Sequence, residues 1–88
     1  MRRPRGLSPF ARRAFDEMTK RAQAQQVDVE ACSDLILDFA RLCAEEGDLE
    51  DAWDHANLPQ KLAIGRRFSA LLREKLRVRQ LIFSNPRH

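Results

Sequence analysis

The chain has 88 residues, of which 43% are hydrophobic and 33% charged, a composition typical of one small globular domain. No apolar run exceeds three residues, and the basic start leads into no apolar segment, so we expect a cytoplasmic protein without a membrane span or secretion signal. The net charge is +3, and two cysteines eleven positions apart, without a CxxC motif, indicate reduced thiols and no metal site.

The first predicted helix covers residues 9–25 and follows a flexible basic arm at residues 1–7. Ser8 and Pro9 are typical of a helix start, because a hydroxyl accepts from free N–H groups and proline lacks an N–H. Apolar residues then recur with the spacing of one buried helical face, at Phe10, Ala14, Met18 and Ala22.

The second predicted helix, residues 28–46, has the clearest amphipathic pattern and is expected to be the most buried element. Asp28 is suited to cap its first turn, and Gly47 is suited to end it because glycine tolerates the left-handed conformation. Its apolar positions alternate by three and four residues: Val29, Cys32, Leu35, Ile36, Phe39, Leu42 and Cys43.

Two further helices are predicted at residues 48–56 and 59–77, joined by a left-handed turn at Asn57. Gly65 lies inside the second of them, where glycine costs about 1 kcal/mol relative to alanine, so a close backbone approach is expected there. Residues 78–83 alternate in polarity, but we favour a helical extension over a strand.

The predicted fold is therefore all-α, a compact domain of four helices at residues 8–83 with a tail at residues 84–88. Ten side chains are expected in its core: Phe10, Met18, Leu35, Ile36, Phe39, Leu42, Trp53, Leu62, Phe68 and Leu72.

The charges are divided into three blocks along the chain. Residues 1–26 hold seven Lys and Arg against two acidic residues, and residues 27–54 hold ten Asp and Glu against one arginine. Residues 55–88 hold eight Lys and Arg against one glutamate. Such a division indicates a charged partner or mutual attraction of the blocks within the folded domain.

Residues 47–68 combine a short helix, a tight turn and a second helix, the parts of a helix-turn-helix. The segments that carry the pattern are Gly47-Asp48, Ala52-Trp53, Ala56-Asn57-Leu58 and Lys61-Leu62-Ala63. They resemble the helix-turn-helix of small DNA-binding regulators of the factor-for-inversion-stimulation type, with departures at Asn57 and Trp53. The resemblance covers about a quarter of the chain. It implies that the helix from Pro59 lies in a major groove, with Gln60, Lys61 and Ala63 at the base edges.

An arginine stripe on the predicted fourth helix supports the same function. Arg66, Arg73 and Arg77 fall within about 40° on a helical wheel, and Arg67 lies beside them. Together with the basic arm, these side chains are suited to neutralise phosphates. The sequence therefore predicts a small regulatory DNA-binding protein that also uses the arm residues Arg2, Arg3 and Arg5.

The acidic residues at positions 48–54 weigh against DNA, because they would repel phosphates beside the predicted recognition helix. The alternative is a protein-binding regulator, such as an anti-activator, inhibitor or adaptor, or a homodimer, in which the acidic second and third helices meet a charged partner surface. Its partner-binding residues would be Asp34, Leu37, Asp38, Glu45 and Trp53. The sequence lacks the motifs of nucleophilic or metal-dependent enzymes, so we expect neither catalysis nor a cofactor.

Overall fold

A computed structural model describes residues 6–85, and this part of the chain contains three helices. They are α1 (Pro9–Ala24), α2 (Ser33–Trp53) and α3 (Leu58–Phe83). The all-α prediction is confirmed, whereas the prediction of four helices is not, because the predicted second and third helices form one helix. The predicted arm residues Arg2, Arg3 and Arg5 lie outside the described residues.

The start of α1 follows the prediction from Ser8 and Pro9. The backbone N–H of Ala11 donates a hydrogen bond of 3.2 Å to the Ser8 hydroxyl, and Pro9 occupies the first turn. Phe15 and Met18 are among the buried side chains of this helix. Local capping chemistry therefore determines where α1 begins, and its apolar face attaches it to the rest of the domain.

The helix α2 begins later and ends later than its predicted counterpart. Asp28 does not cap it: the Asp28 carboxylate accepts from the N–H of Ala31 in a separate turn, and α2 starts at Ser33. Gly47 does not end it and has no positive φ. A Cβ placed on Gly47 would lie 3.6 Å from the ring of Phe10, an ordinary van der Waals distance, so α1 begins beside an unbroken α2 and would leave room for a side chain here.

The helix α3 begins at a capping box rather than after a left-handed turn. Asn57 is extended, with φ −79° and ψ 176°, and its side chain accepts from the N–H of Gln60. The Gln60 side chain in turn accepts from the N–H of Asn57 at 2.9 Å. At the other end, residues 78–83 are helical, as predicted.

The three helices are arranged with α2 in the centre. Both α1 and α3 pack extensively on α2 and scarcely contact each other. Asp28, before α2, donates a backbone hydrogen bond of 2.8 Å to Asn85, after α3, so α2 and α3 form an antiparallel hairpin. The hydrophobic core lies at this end of the hairpin and consists of Phe15, Met18, Ala22, Val27, Cys32, Ile36, Ala40 and Ile82.

The predicted core was partly right in each of the three helices. Met18 and Ile36 are buried, and four other predicted core residues are half-buried: Leu35, Phe39, Leu42 and Phe68. Four are exposed, namely Phe10, Trp53, Leu62 and Leu72. The periodicity shows correctly that α3 has an apolar face, but in the described part of the chain no helix covers that half of it.

Replacing Gly47 with alanine tests whether α2 runs unbroken through this position. We expect Gly47→Ala to stabilise the fold by about 0.5–1 kcal/mol, because alanine is the better helix former and its methyl group meets Phe10 at an ordinary contact distance. The free energy of unfolding from urea titration measures the change. Ala52→Gly, at an exposed position of the same helix, is the matched control and should destabilise by a similar amount. A loss of stability in Gly47→Ala would instead indicate a left-handed helix end at Gly47.

Candidate functional site

The loop end of the α2–α3 hairpin lacks a core of its own. Phe10, in the first turn of α1, contacts Gly47, so α1 begins beside this part of α2 and leaves the hairpin end beyond it uncovered. Among residues 41–70, all of which the structure describes, none is buried. The part of the hairpin beyond the start of α1 therefore consists of two helices that contact mainly each other.

An exposed apolar stripe runs along α3 from this end of the hairpin to residue 76. Leu58, Leu62, Leu72 and Leu76 are 71%, 60%, 56% and 51% exposed, although each is a large hydrophobic residue. Their positions, with Gly65 and Ser69 between them, alternate by four and three residues, so they lie on one face of the helix. We call these six residues the α3 stripe. From residue 58 to 76 it is about 27 Å long.

The structure shows no intramolecular reason for glycine at position 65. A Cβ built on Gly65 would meet nothing within 4 Å, so the close backbone approach expected from the sequence does not occur within the described chain. Glycine nevertheless costs about 1 kcal/mol in a helix interior. The position faces open space in the middle of the α3 stripe.

On the α2 side, the α3 stripe is bordered by an acidic flank. Glu50, Trp53 and Asp54 share one shallow depression with Gly65 and Phe68. Trp53 is 40% exposed. The ammonium group of Lys61 lies 5.3 Å from the centre of the Trp53 ring, a cation–π contact. The depression thus combines aromatic surface with two carboxylates, and we call Glu50 and Asp54 the acidic flank.

On the solvent side, the α3 stripe is bordered by Arg66 and Arg73. Arg66 follows Gly65 and Arg73 follows Leu72, so each is rotated by about 100° from the α3 stripe around the helix axis. Phe68 is rotated in the other direction, toward α2. Both arginines are exposed, and neither forms an ion pair with a residue in the range 6–85. We call these two residues the basic flank.

The other two predicted DNA-contacting arginines of α3 differ in their surroundings, and Arg67 is paired with acidic residues of the chain itself. Arg67 donates to both carboxylate oxygens of Glu45, one of them at 2.9 Å, and its guanidinium lies 3.7 Å from Glu74. These hydrogen bonds hold the pKa of Glu45 below its ordinary value. Arg77 lines a groove between α2 and α3 that also contains Asp38, Glu45 and Glu74. Arg67 therefore has acidic partners within the chain, whereas no ion pair joins Arg66, Arg73 or Arg77 to a residue in the range 6–85.

The two predicted base-contacting residues are engaged at the start of α3. Gln60 belongs to the capping box with Asn57, and Lys61 lies over Trp53. Furthermore, α2 and α3 lie antiparallel and in contact, whereas the helices of a helix-turn-helix cross at roughly 90–120°. The arrangement is that of an αα-hairpin.

The predicted partner-binding residues are also separated by the structure. Asp34 and Asp38 are exposed on α2, but Leu37 packs partly buried against the core, and Glu45 is paired with Arg67. Of this predicted set, Trp53 alone borders the α3 stripe. Sequence reasoning missed the stripe as a surface, although its alternation by four and three residues was visible in the sequence.

The two cysteines provide no reactive site. Both are free, and burial raises the pKa of each thiol, which disfavours the nucleophilic thiolate. Within residues 6–85, no cluster of three or more histidine, cysteine or acidic side chains is suited to hold a metal ion. No helix in the same range is sufficiently long and apolar to cross a membrane.

Comparisons of the chain with family models, with curated proteins and with solved structures found no match.

The Glu45–Arg67 pair predicts a small pH-dependent contribution to stability. Because the folded state lowers the pKa of Glu45 below 4.5, the pair contributes fully above that pH, and its contribution is lost as the pH falls through the lowered pKa. We expect Glu45→Gln to lower the urea midpoint slightly at pH 7, since the pair is solvent-exposed, and the difference from wild type to shrink toward pH 2.5. Asp48→Asn is the control, because Asp48 is exposed on α2 without an ion pair in residues 6–85. A difference that grew on acidification would contradict this assignment.

Proposed function

We propose that this chain is a protein-binding module and that the α3 stripe is its binding face. The observation that carries the proposal is the exposure of four leucines, each more than half accessible, along one face of a single helix. Contiguous apolar surface of this kind, rimmed by charged residues, marks sites of protein–protein contact. No residue of the hairpin's loop half is buried in the described chain, so a partner would supply the missing layer of packing.

The energetics favour an apolar contact oriented by charge. Burying the exposed half of each leucine contributes roughly 1 kcal/mol, so the stripe supplies a substantial part of the free energy that association requires. The acidic and basic flanks lie on opposite sides of the stripe and would determine the orientation of the partner. This proposal retains the protein-binding alternative from the sequence but moves its site from the outer surface of α2 to α3.

DNA binding is the second candidate, and the exposed basic flank favours it. Arg66 and Arg73 are free to reach phosphates, since neither pairs with a residue in the range 6–85. Base recognition has less support, because Gln60 and Lys61 already have partners within the chain. The resemblance to regulators of the factor-for-inversion-stimulation type stays a prediction.

Charged substitutions on the α3 stripe test the protein-binding proposal. We expect Leu62→Glu with Leu72→Glu to weaken partner binding by at least about tenfold, because two carboxylates would enter an apolar interface. The full-length chain serves as bait in its cells of origin. Each copurified protein is then purified and titrated against wild type and against the variants by calorimetry. A differently tagged copy of the chain itself is tested in the same way. The control is Ala63→Glu with Leu81→Glu, which changes the charge equally at exposed positions of α3 outside the stripe. Equal binding by the stripe variant and wild type would refute the proposal.

A titration of random duplex DNA tests the second candidate. If the basic flank binds phosphates, fluorescence anisotropy will show micromolar affinity that falls steeply with salt and decreases in Arg66→Glu with Arg73→Glu. The control is Arg12→Glu with Arg13→Glu, two exposed arginines on α1. Absence of binding at low salt would exclude DNA as the ligand of this face.

A further inference from the structure

We infer that the partner of the α3 stripe is a second copy of this chain, docked with its own α3 parallel to the first. This inference rests on the proposed binding face and names its occupant. Three observations carry it: the spacing of the stripe, the small residues at its centre, and the placement of opposite charges on its two flanks.

The spacing suits a parallel pair of identical helices. Positions 58, 62, 65, 69, 72 and 76 alternate by four and three residues, which is the seam of a two-stranded coiled coil. A two-fold axis along the stripe stacks each position on its equivalent, so Leu62 meets the second copy's Leu62 and Leu72 meets the second copy's Leu72. Each copy contributes an α2–α3 hairpin, and the two hairpin ends together form a four-helix bundle.

The centre of the stripe is suited to close approach. Gly65 and Ser69 are small, and Gly65 faces open space where an added Cβ would meet nothing within 4 Å. A second α3 crossing the stripe here would approach the backbone closely, which gives glycine a role that no contact in the described chain provides.

The flanks determine the orientation. The acidic flank, Glu50 and Asp54, borders the stripe on its α2 side, and the basic flank, Arg66 and Arg73, borders it on the other side. Rotation about a two-fold axis parallel to α3 brings the basic flank of each copy against the acidic flank of the other. An antiparallel pairing would instead bring basic flank against basic flank. The surface is therefore self-complementary in the parallel arrangement, as an isologous dimer requires.

Charge reversal on each flank tests this arrangement by sedimentation velocity on the full-length chain. Wild type should sediment as a dimer across micromolar concentrations. The basic-flank variant, Arg66→Glu with Arg73→Glu, and the acidic-flank variant, Glu50→Arg with Asp54→Arg, should each sediment as a monomer. An equimolar mixture of the two variants should restore the dimer, because both flank contacts then join opposite charges. Circular dichroism of each variant checks that the helices are retained.

Monomeric wild type, a dimeric single-flank variant, or a mixture that stays monomeric would overturn the inference. The outcome is separable from that of the proposed function. Wild type could be monomeric while Leu62→Glu with Leu72→Glu still weakens binding to a different purified protein. That result refutes the second copy as the partner and retains the α3 stripe as the binding face. If Leu62→Glu with Leu72→Glu binds every partner with the affinity of wild type, both the binding face and the dimer are refuted.

A cysteine at the centre of the stripe tests the parallel orientation separately. Ser69 lies on the proposed two-fold axis, so Ser69→Cys should form an intermolecular disulfide under mild oxidation, seen as a doubled mass on non-reducing gels. Ala63→Cys, exposed on α3 away from the stripe, is the matched control and should stay monomeric on the gel, as should wild type with Cys32 and Cys43. Crosslinking of Ala63→Cys as efficient as that of Ser69→Cys would contradict the orientation.

Discussion

The constraint on which the rest of the structure depends is the difference in length between the three helices. With 16, 21 and 26 residues, α1, α2 and α3 are about 24, 32 and 39 Å long. Since α1 is the shortest and packs from the start of α2 up to Gly47, it completes a core at one end of the hairpin only. The opposite end retains two helices in contact, and two helices leave part of each apolar face uncovered. The exposure of Leu58 and Leu62 at this end follows from this geometry, whereas Leu72 and Leu76 lie on the side of α3 that faces away from α2.

The sequence predicted features that depend on local chemistry and missed those that depend on packing. Ser8 and Pro9 begin α1 as predicted, because a side chain and its neighbouring N–H groups suffice to make that cap. Gly47 does not end α2: the helix continues through it to Trp53, and the ring of Phe10, 37 positions earlier in the chain, lies beside it. Asn57 is suited both to a left-handed turn and to an N-cap. The reciprocal hydrogen bonds with Gln60 favour the cap.

The prediction of Leu62 and Leu72 as core residues shows what helical periodicity can and cannot determine. The periodicity identifies an apolar face, but it does not say whether that face is covered by the same chain or by another. Ile82 belongs to the same helix and is fully buried, as a member of the core cluster that also contains residues of α1 and of the start of α2. The candidate site was therefore visible in the sequence as a pattern, while its exposure required the positions of all three helices.

The three charge blocks also acquire a structural meaning. Part of the attraction between the acidic middle and the basic end of the chain is satisfied within the hairpin, where Arg67 pairs with Glu45 and Lys75 lies 3.2 Å from Glu46. Both pairs join α2 to α3 within the hairpin. The charges on the two sides of the stripe point outward instead, because α3 cannot turn Arg66 toward α2 while Phe68 packs there. The hairpin thus satisfies some of its charges between α2 and α3 and leaves opposite charges on the two sides of the apolar stripe, which supports the proposed binding face.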